Sequence, residues 1–211
     1  TSSVLPESGH SPSYDVDAVS LESAINLTGE DRIDLVKIDI EGAEFDIIEN
    51  LPHHVFDRID SFLIEYHDFY FNEGMAKVDA LEKQLETAGY TIHRSTIPKV
   101  KYVFASRIKK NYWINRNGLL EINDLHDFSK TFNWDEFNAG NQTGYHHMFN
   151  ELHFSDDEYT KGCNYERFEC RVERGDVIVD VGANIGMFAN VAYHKGAEQI
   201  FCFEPSDIAF S

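Results

Sequence analysis

The chain has 211 residues, 42% hydrophobic and 13% aromatic, enough to bury a sizeable core, which excludes disordered and fibrous classes. Eighteen basic against 37 acidic residues give a formal net charge of −19. The acid is spread evenly, with 9 basic and 20 acidic groups in residues 1–107 and 9 and 17 in 108–211. A surface negative throughout repels phosphate backbones and anionic lipid, so neither nucleic acid nor a membrane is an expected partner. No apolar run approaches the roughly 20 residues of a spanning helix. Cys163, Cys170 and Cys202 form no CxxC pair, so neither a disulfide framework nor a zinc knuckle is expected. The polar start TSSVLPESGHSPS has no signal-peptide pattern, and a reducing, cytoplasmic location is the expectation.

In chain order, residues 1–13 are rich in Ser, Pro and Gly and read as a loop. Ser20 is placed to cap a short helical turn at 20–23. The run IDLVKIDI at 33–40 predicts a buried strand with a sharp exit at Glu41-Gly42. Phe45, Ile47, Ile48 and Leu51 then recur at near-helical spacing over 43–50, and Pro52 stops them. SFLIEY at 61–66 predicts a second strand. Val78, Leu81, Leu85 and Ala88 share one face of a helix over 75–88, closed by Gly89. Residues 90–94 and 102–106 predict an antiparallel pair of strands around the Pro98 turn.

Residues 108–174 change character, being aromatic and polar with few apolar runs, and predict a helical lobe with helix signals at 129–137 and 144–152 and a cap at 155–159. Tyr112, Trp113, Phe128, Phe132, Trp134 and Phe137 form an aromatic belt there, fit for core packing, a lid, or a platform for a sugar or aromatic substrate. Strand 176–182, helix 187–194 and strand 199–204 then make a βαβ half-unit, so an α/β fold with a largely parallel sheet is expected. The expected segments are 1–107, 108–174 and 175–211, together forming one domain.

The sharpest motif is VDVGANIG at 179–186, a strand running through Gly182 into a helix opening near Gly186. Gly182 would let the backbone approach a ligand, and Gly186 would let the helix lie close to the sheet. Glu204 ends the next strand, where a carboxylate can accept both hydroxyls of a ribose. A nucleoside-containing ligand follows, against the alternative of an ordinary glycine turn. The spacing is G-x-x-x-G, not the G-x-G-x-x-G that seats a pyrophosphate, which favours S-adenosylmethionine over NAD.

The stretch GDVIVDVGANIGMFANVAYHKGAEQIFCFEPS resembles the first strand–helix–strand of FkbM-type S-adenosylmethionine-dependent methyltransferases. VSLESAI, LVKIDIEGAEFDIIENL, FLIEYH and the closing YVFAS resemble later parts of the same family, and NELHFSDDEY with FECRVERGD its lead-in. The resemblance implies a seven-stranded Rossmann-like methyltransferase sheet, mostly parallel with an antiparallel last strand, beside the aromatic-rich lobe. It also implies methyl transfer, usually to oxygen. The two halves stand in inverted order, as in a circular permutant, a splice of tandem domains, or an incomplete stretch of a longer protein. A rearranged or incomplete stretch is expected over a native permutant, and in each case the halves can complete one sheet.

By the same resemblance, Asp180, Gly182, Asn184 and Gly186 line the methionine end of the cofactor and Glu204 takes the ribose. Asp39 sits beside the sulfonium, followed by Glu41 and Glu44. The candidate proton acceptors are Asp39, Glu41, Glu65 and His67, with Glu41 or His67 preferred, although Glu41 could equally be an acid that stabilises a helix start. The adjacent pairs His53-His54 and His146-His147 seldom ligate together, and His67-Asp68 beside Asp39 and Glu41 has no metal-ligand spacing signature, so no metal is expected. The expected function is O-methylation of a hydroxyl on a small molecule or glycan. The alternatives are a NAD-dependent oxidoreductase on the same sheet, or a non-catalytic remnant; a homodimer that exchanges halves fits the remnant.

Overall fold

The computed structural model of the chain describes residues 18–95, 101–108 and 170–205. Their elements belong to one compact unit, Thr1–Ile108 with Phe168–Ser211. The helix signals at 129–137, 144–152 and 155–159, the aromatic belt, His146-His147 and Cys163 lie outside the described residues. The fold is α/β, with six strands among the described residues: β1 (Ile33–Ile38), β2 (Ile59–Glu65), β3 (Thr91–Arg94), β4 (Tyr102–Ser106), β5 (Val177–Val181) and β6 (Gln199–Phe203). They form one sheet in the order β3-β4-β2-β1-β5-β6. The β6-β5-β1-β2 pairs are parallel, and β4 and then β3 join antiparallel. This is the mostly parallel, Rossmann-like arrangement expected from the sequence, and the described segments 18–95 and 170–205 join at the β1–β5 pair.

Among the described residues the helices are α1 (Leu21–Thr28), α2 (Glu44–Asn50), α3 (His53–Phe56), α4 (Gly74–Thr87) and α5 (Met187–Lys195), with a 3-10 turn at Asp68–Tyr70. Among the described residues, no helix is long and apolar enough to cross a membrane. Ser20 caps α1, its hydroxyl accepting the Ser23 N–H at 3.1 Å. Val78, Leu81 and Leu85 bury one face of α4. The core they enter includes Ile25, Ile48, Phe62, Ile64 and Val103. Each large side chain fully buried there contributes roughly 1.5–3 kcal/mol of transfer free energy. Tyr90 closes the floor of this core, its hydroxyl within reach of the carbonyls of Phe56 (2.9 Å) and Ile59 (2.7 Å).

Two strand boundaries differ from the sequence reading by two residues, for identifiable reasons. β1 stops at Ile38 rather than residue 40: Asp39 N–H makes a last bond to Val181 O (3.0 Å), and the chain then turns through positive φ at Glu41 (52°) and Gly42 (105°). β2 begins at Ile59, two residues earlier than expected, and so contains Asp60. That carboxylate is buried but paired with Arg32, which makes a charge tolerable inside a strand.

Candidate active site

The carboxyl ends of parallel strands are where open α/β sheets bind ligands. Here the ends of β1, β2 and β5 bring together residues far apart in the chain. Asp39 follows β1, Glu41 lies on the turn after it, and His67 follows β2. One ligand atom from each of the three lies within 4.8 Å of the others. His67 Nε2 is 3.5 Å from Glu41 Oε2 and 3.9 Å from Asp39 Oδ1. Tyr70 stacks on the imidazole at 6.1 Å between centroids and donates its hydroxyl to Glu41 at 3.0 Å.

The imidazole is oriented from behind by Glu44, the first residue of α2, which is wholly buried. Glu44 accepts three N–H bonds: from Gly42 N (2.7 Å), from His67 N (2.6 Å) and from His67 Nδ1 (3.1 Å). Holding Nδ1–H on a carboxylate leaves Nε2 facing Asp39 and Glu41. Burial by itself would depress the His67 pKa. The Glu44 hydrogen bond and the charges of Glu44, Glu41 and Glu65 outweigh it and raise the ring from 6.5 to about 9. The three side chains are close enough to share a cation. Glu65 is turned aside, accepting the Tyr102 hydroxyl at 2.8 Å, and Asp68 is paired with Lys101. His53 and His54 lie on α3, where His54 meets Glu22 at 2.8 Å, away from this cluster.

Across the β1–β5 pair stands the glycine turn. The physical reasons for its glycines differ from those the motif suggested. Gly182, at φ +76°, packs on β1, since a Cβ there would lie 1.7 Å from the Asp39 carbonyl oxygen. Gly186, also at φ +76°, precedes α5 in the left-handed conformation, and a Cβ there would meet nothing within 4 Å. Gly182 thus serves strand docking, and Gly186 is required by its dihedral angle rather than by helix–sheet contact. Asn184 has φ +49°, and its N–H donates to Glu204 Oε2 at 2.8 Å, tying the turn to the end of β6. Asp180 is fully buried, its Oδ1 3.4 Å from Lys37 Nζ.

Lys37 was not singled out by its residue type, and Glu44 was named only as following Glu41 without a role, yet both organise the site. Lys37 faces Asp180 in the β1–β5 register, and each is a buried charge among apolar neighbours, Lys37 in IDLVKI, which also holds the half-buried Asp34, and Asp180 in VIVDV. That coincidence was a usable signal. Burial would lower the Lys37 pKa, but Asp180 and Asp39 outweigh it and keep the ammonium charged. Beside Asp180 on β6, burial and the Asp180 charge push the Cys202 thiol up to about 11, so it is a neutral thiol at physiological pH.

Residues 2–92 match the family model described as the Methyltransferase FkbM domain, so this stretch carries methyltransferase-domain sequence. The matched span holds Lys37, Asp39, Glu41, Glu44 and His67 and ends before the glycine turn, which reaches the site through strand pairing. No curated protein matches the chain. No solved structure matches it either.

Proposed function

We propose that this methyltransferase uses S-adenosylmethionine to methylate a hydroxyl on a small molecule or glycan, in the cytoplasm and without a metal. One observation carries the reading. The β1–β5 register sets the glycine turn directly against Asp39, beside the Asp39–Glu41–His67 cluster. That juxtaposition supports a nucleoside-binding turn and a proton acceptor as neighbours on one sheet edge.

The residues suit such a cofactor. Gly186 has open space beside it, and Glu204 stands at a strand end already fixed to the turn by the Asn184 N–H. Glu204 would take the ribose hydroxyls. Gly182, Asn184 and Gly186 would line the amino-acid end, with Asp180 buried behind them. When bound, the cofactor supplies an electrophilic methyl group on a positively charged sulfur. His67 accepts the acceptor hydroxyl's proton at Nε2, and Glu44 holds the opposite nitrogen so that Nε2 is presented. Glu41, well exposed, and the part-exposed Asp39 orient the hydroxyl through hydrogen bonds. Because His67 is protonated in the free protein until pH about 9, kcat/KM should climb with pH below that value. Positioning supplies most of the remaining acceleration in such a displacement.

The test is calorimetric titration of the chain with S-adenosylhomocysteine. A single site with Kd on the order of micromolar, about −8 kcal/mol, is expected. Glu204→Ala should lose most of that affinity while keeping cooperative unfolding. Silence of the unaltered chain at millimolar ligand would remove the cofactor assignment.

A further inference from the structure

Lysine is almost never fully buried unless paired. Lys37 is 4% exposed, flanked by the core residues Val36 and Ile38 in a strand paired on both sides with other strands. Its ammonium has three N–H groups and, among the described residues, three acceptors around it. Nζ donates to the Gly182 carbonyl at 3.1 Å and to Asp39 Oδ2 at 3.3 Å, and lies 3.4 Å from Asp180 Oδ1. Two of these acceptors, the carbonyl of the glycine turn and the carboxylate beside His67, are parts of the proposed site from opposite ends of the chain. The third, Asp180, has no exposed surface, so its charge offsets the burial of the ammonium and stays out of reach of a ligand. Asp39 is 25% exposed at its side chain, and only one of its oxygens is taken by Lys37.

We infer that Lys37 is a positioning residue for the amino-acid end of the cofactor: it clamps the Gly182 carbonyl and the Asp39 carboxylate to one point, with Asp180 as its buried counter-charge rather than a cofactor ligand. The inference rests on the cofactor reading above and adds to it which residues hold the methionine end and how. Lys37 and Asp180 face each other as a buried pair, and Asp39 adds a further carboxylate charge whose Oδ1 lies 3.9 Å from His67 Nε2. It is presented at the sheet edge, where the ligand's ammonium or sulfonium would meet it. The clamp fixes where that charge sits relative to the turn.

Removing Lys37 alone would strand a buried carboxylate, a change that often prevents folding. The informative variant is therefore Lys37→Met with Asp180→Asn. It removes the clamp but keeps the trio's formal charge, and replacing a buried ion pair by neutral groups of similar size is often tolerated. S-adenosylhomocysteine and adenosine are titrated into the full chain, the first by calorimetry and the second by ligand-observed NMR. The double variant should lose about tenfold or more in affinity for S-adenosylhomocysteine, the equivalent of one charged hydrogen bond, while adenosine affinity stays within about threefold. Asp39→Asn, at the part-exposed end of the clamp, should fold regardless and show the same selective loss. Unchanged affinity for S-adenosylhomocysteine in either variant overturns the inference, because the clamp would be dispensable in the first case and the Asp39 charge in the second. Equal loss of both ligands also overturns it, since general damage to the fold would explain that result. If the unaltered chain binds neither ligand, the cofactor reading falls as well, an outcome distinct from the other two.

Discussion

Glu44 makes a quantitative case for how the site is held. Its carboxylate accepts two backbone N–H groups and the His67 ring N–H with no exposure to solvent. It also heads the causes that raise His67 against its burial, from 6.5 to about 9. A histidine whose folded pKa lies above its unfolded value stabilises the fold fully below the unfolded pKa. That stability is lost as pH rises through the folded pKa. With these two values the contribution falls by about 2 kcal/mol between pH 6.5 and 8.5. Glu44→Gln keeps one acceptor oxygen and turns its amide nitrogen towards a donor, leaving buried N–H groups unsatisfied. The expected losses are about 3 kcal/mol at pH 6.5 and most of the pH dependence. Urea unfolding at pH 6.5, 7.5 and 8.5 for the unaltered chain, Glu44→Gln and His67→Gln measures both quantities. Subtracting the His67→Gln curve removes other titrating groups such as Cys202, whose raised pKa adds its own loss only at more alkaline pH. A stability that is flat or rising over this range in the unaltered chain would refute the reasoning. So would a Glu44→Gln variant with the same slope.

The two glycines of the turn should separate cleanly in thermal unfolding. Gly182→Ala drives a Cβ onto the Asp39 carbonyl and should undock β5 from β1, losing several degrees or the fold itself. Gly186→Ala meets no atoms and should cost only the strain of a positive φ, about 1–2 kcal/mol; comparable losses at both positions would contradict the assignment. Tyr90→Phe removes the hydroxyl shared by the Phe56 and Ile59 carbonyls and should cost about 1–2 kcal/mol in chemical denaturation, with the ring packing retained. With an acceptor in hand, a His67→Asn variant should lose the rise of kcat/KM towards pH 9, and a profile unchanged by it would shift the proton acceptor to Glu41 or Asp39.

Much of the fold could be read in the sequence because its strands are short apolar runs bounded by strong punctuation. IDLVKI ends at Glu41-Gly42, VIVDV at Gly182, and Gly89 closes α4, each through local backbone preferences that need no partner. The candidates Asp39, Glu41 and His67 could be named for a similar reason, since residues just after parallel strands face the ligand edge whatever the strand order. Strand order and charge pairing could not be read this way, because they depend on which strands become neighbours. Only the β1–β5 register put Lys37 opposite Asp180, and only that pairing explains how two charges survive inside buried strands. Gly182 shows the same limit, since its lack of a side chain can make room for a ligand or for another strand, and only the folded chain puts the Asp39 carbonyl where a Cβ would lie. Residue type and spacing along the chain determined the elements and the edge where chemistry would gather. Tertiary structure decided which buried charges face each other, because the interaction between two charges depends on their separation in space and on the solvent excluded around them, and neither is encoded in sequence distance.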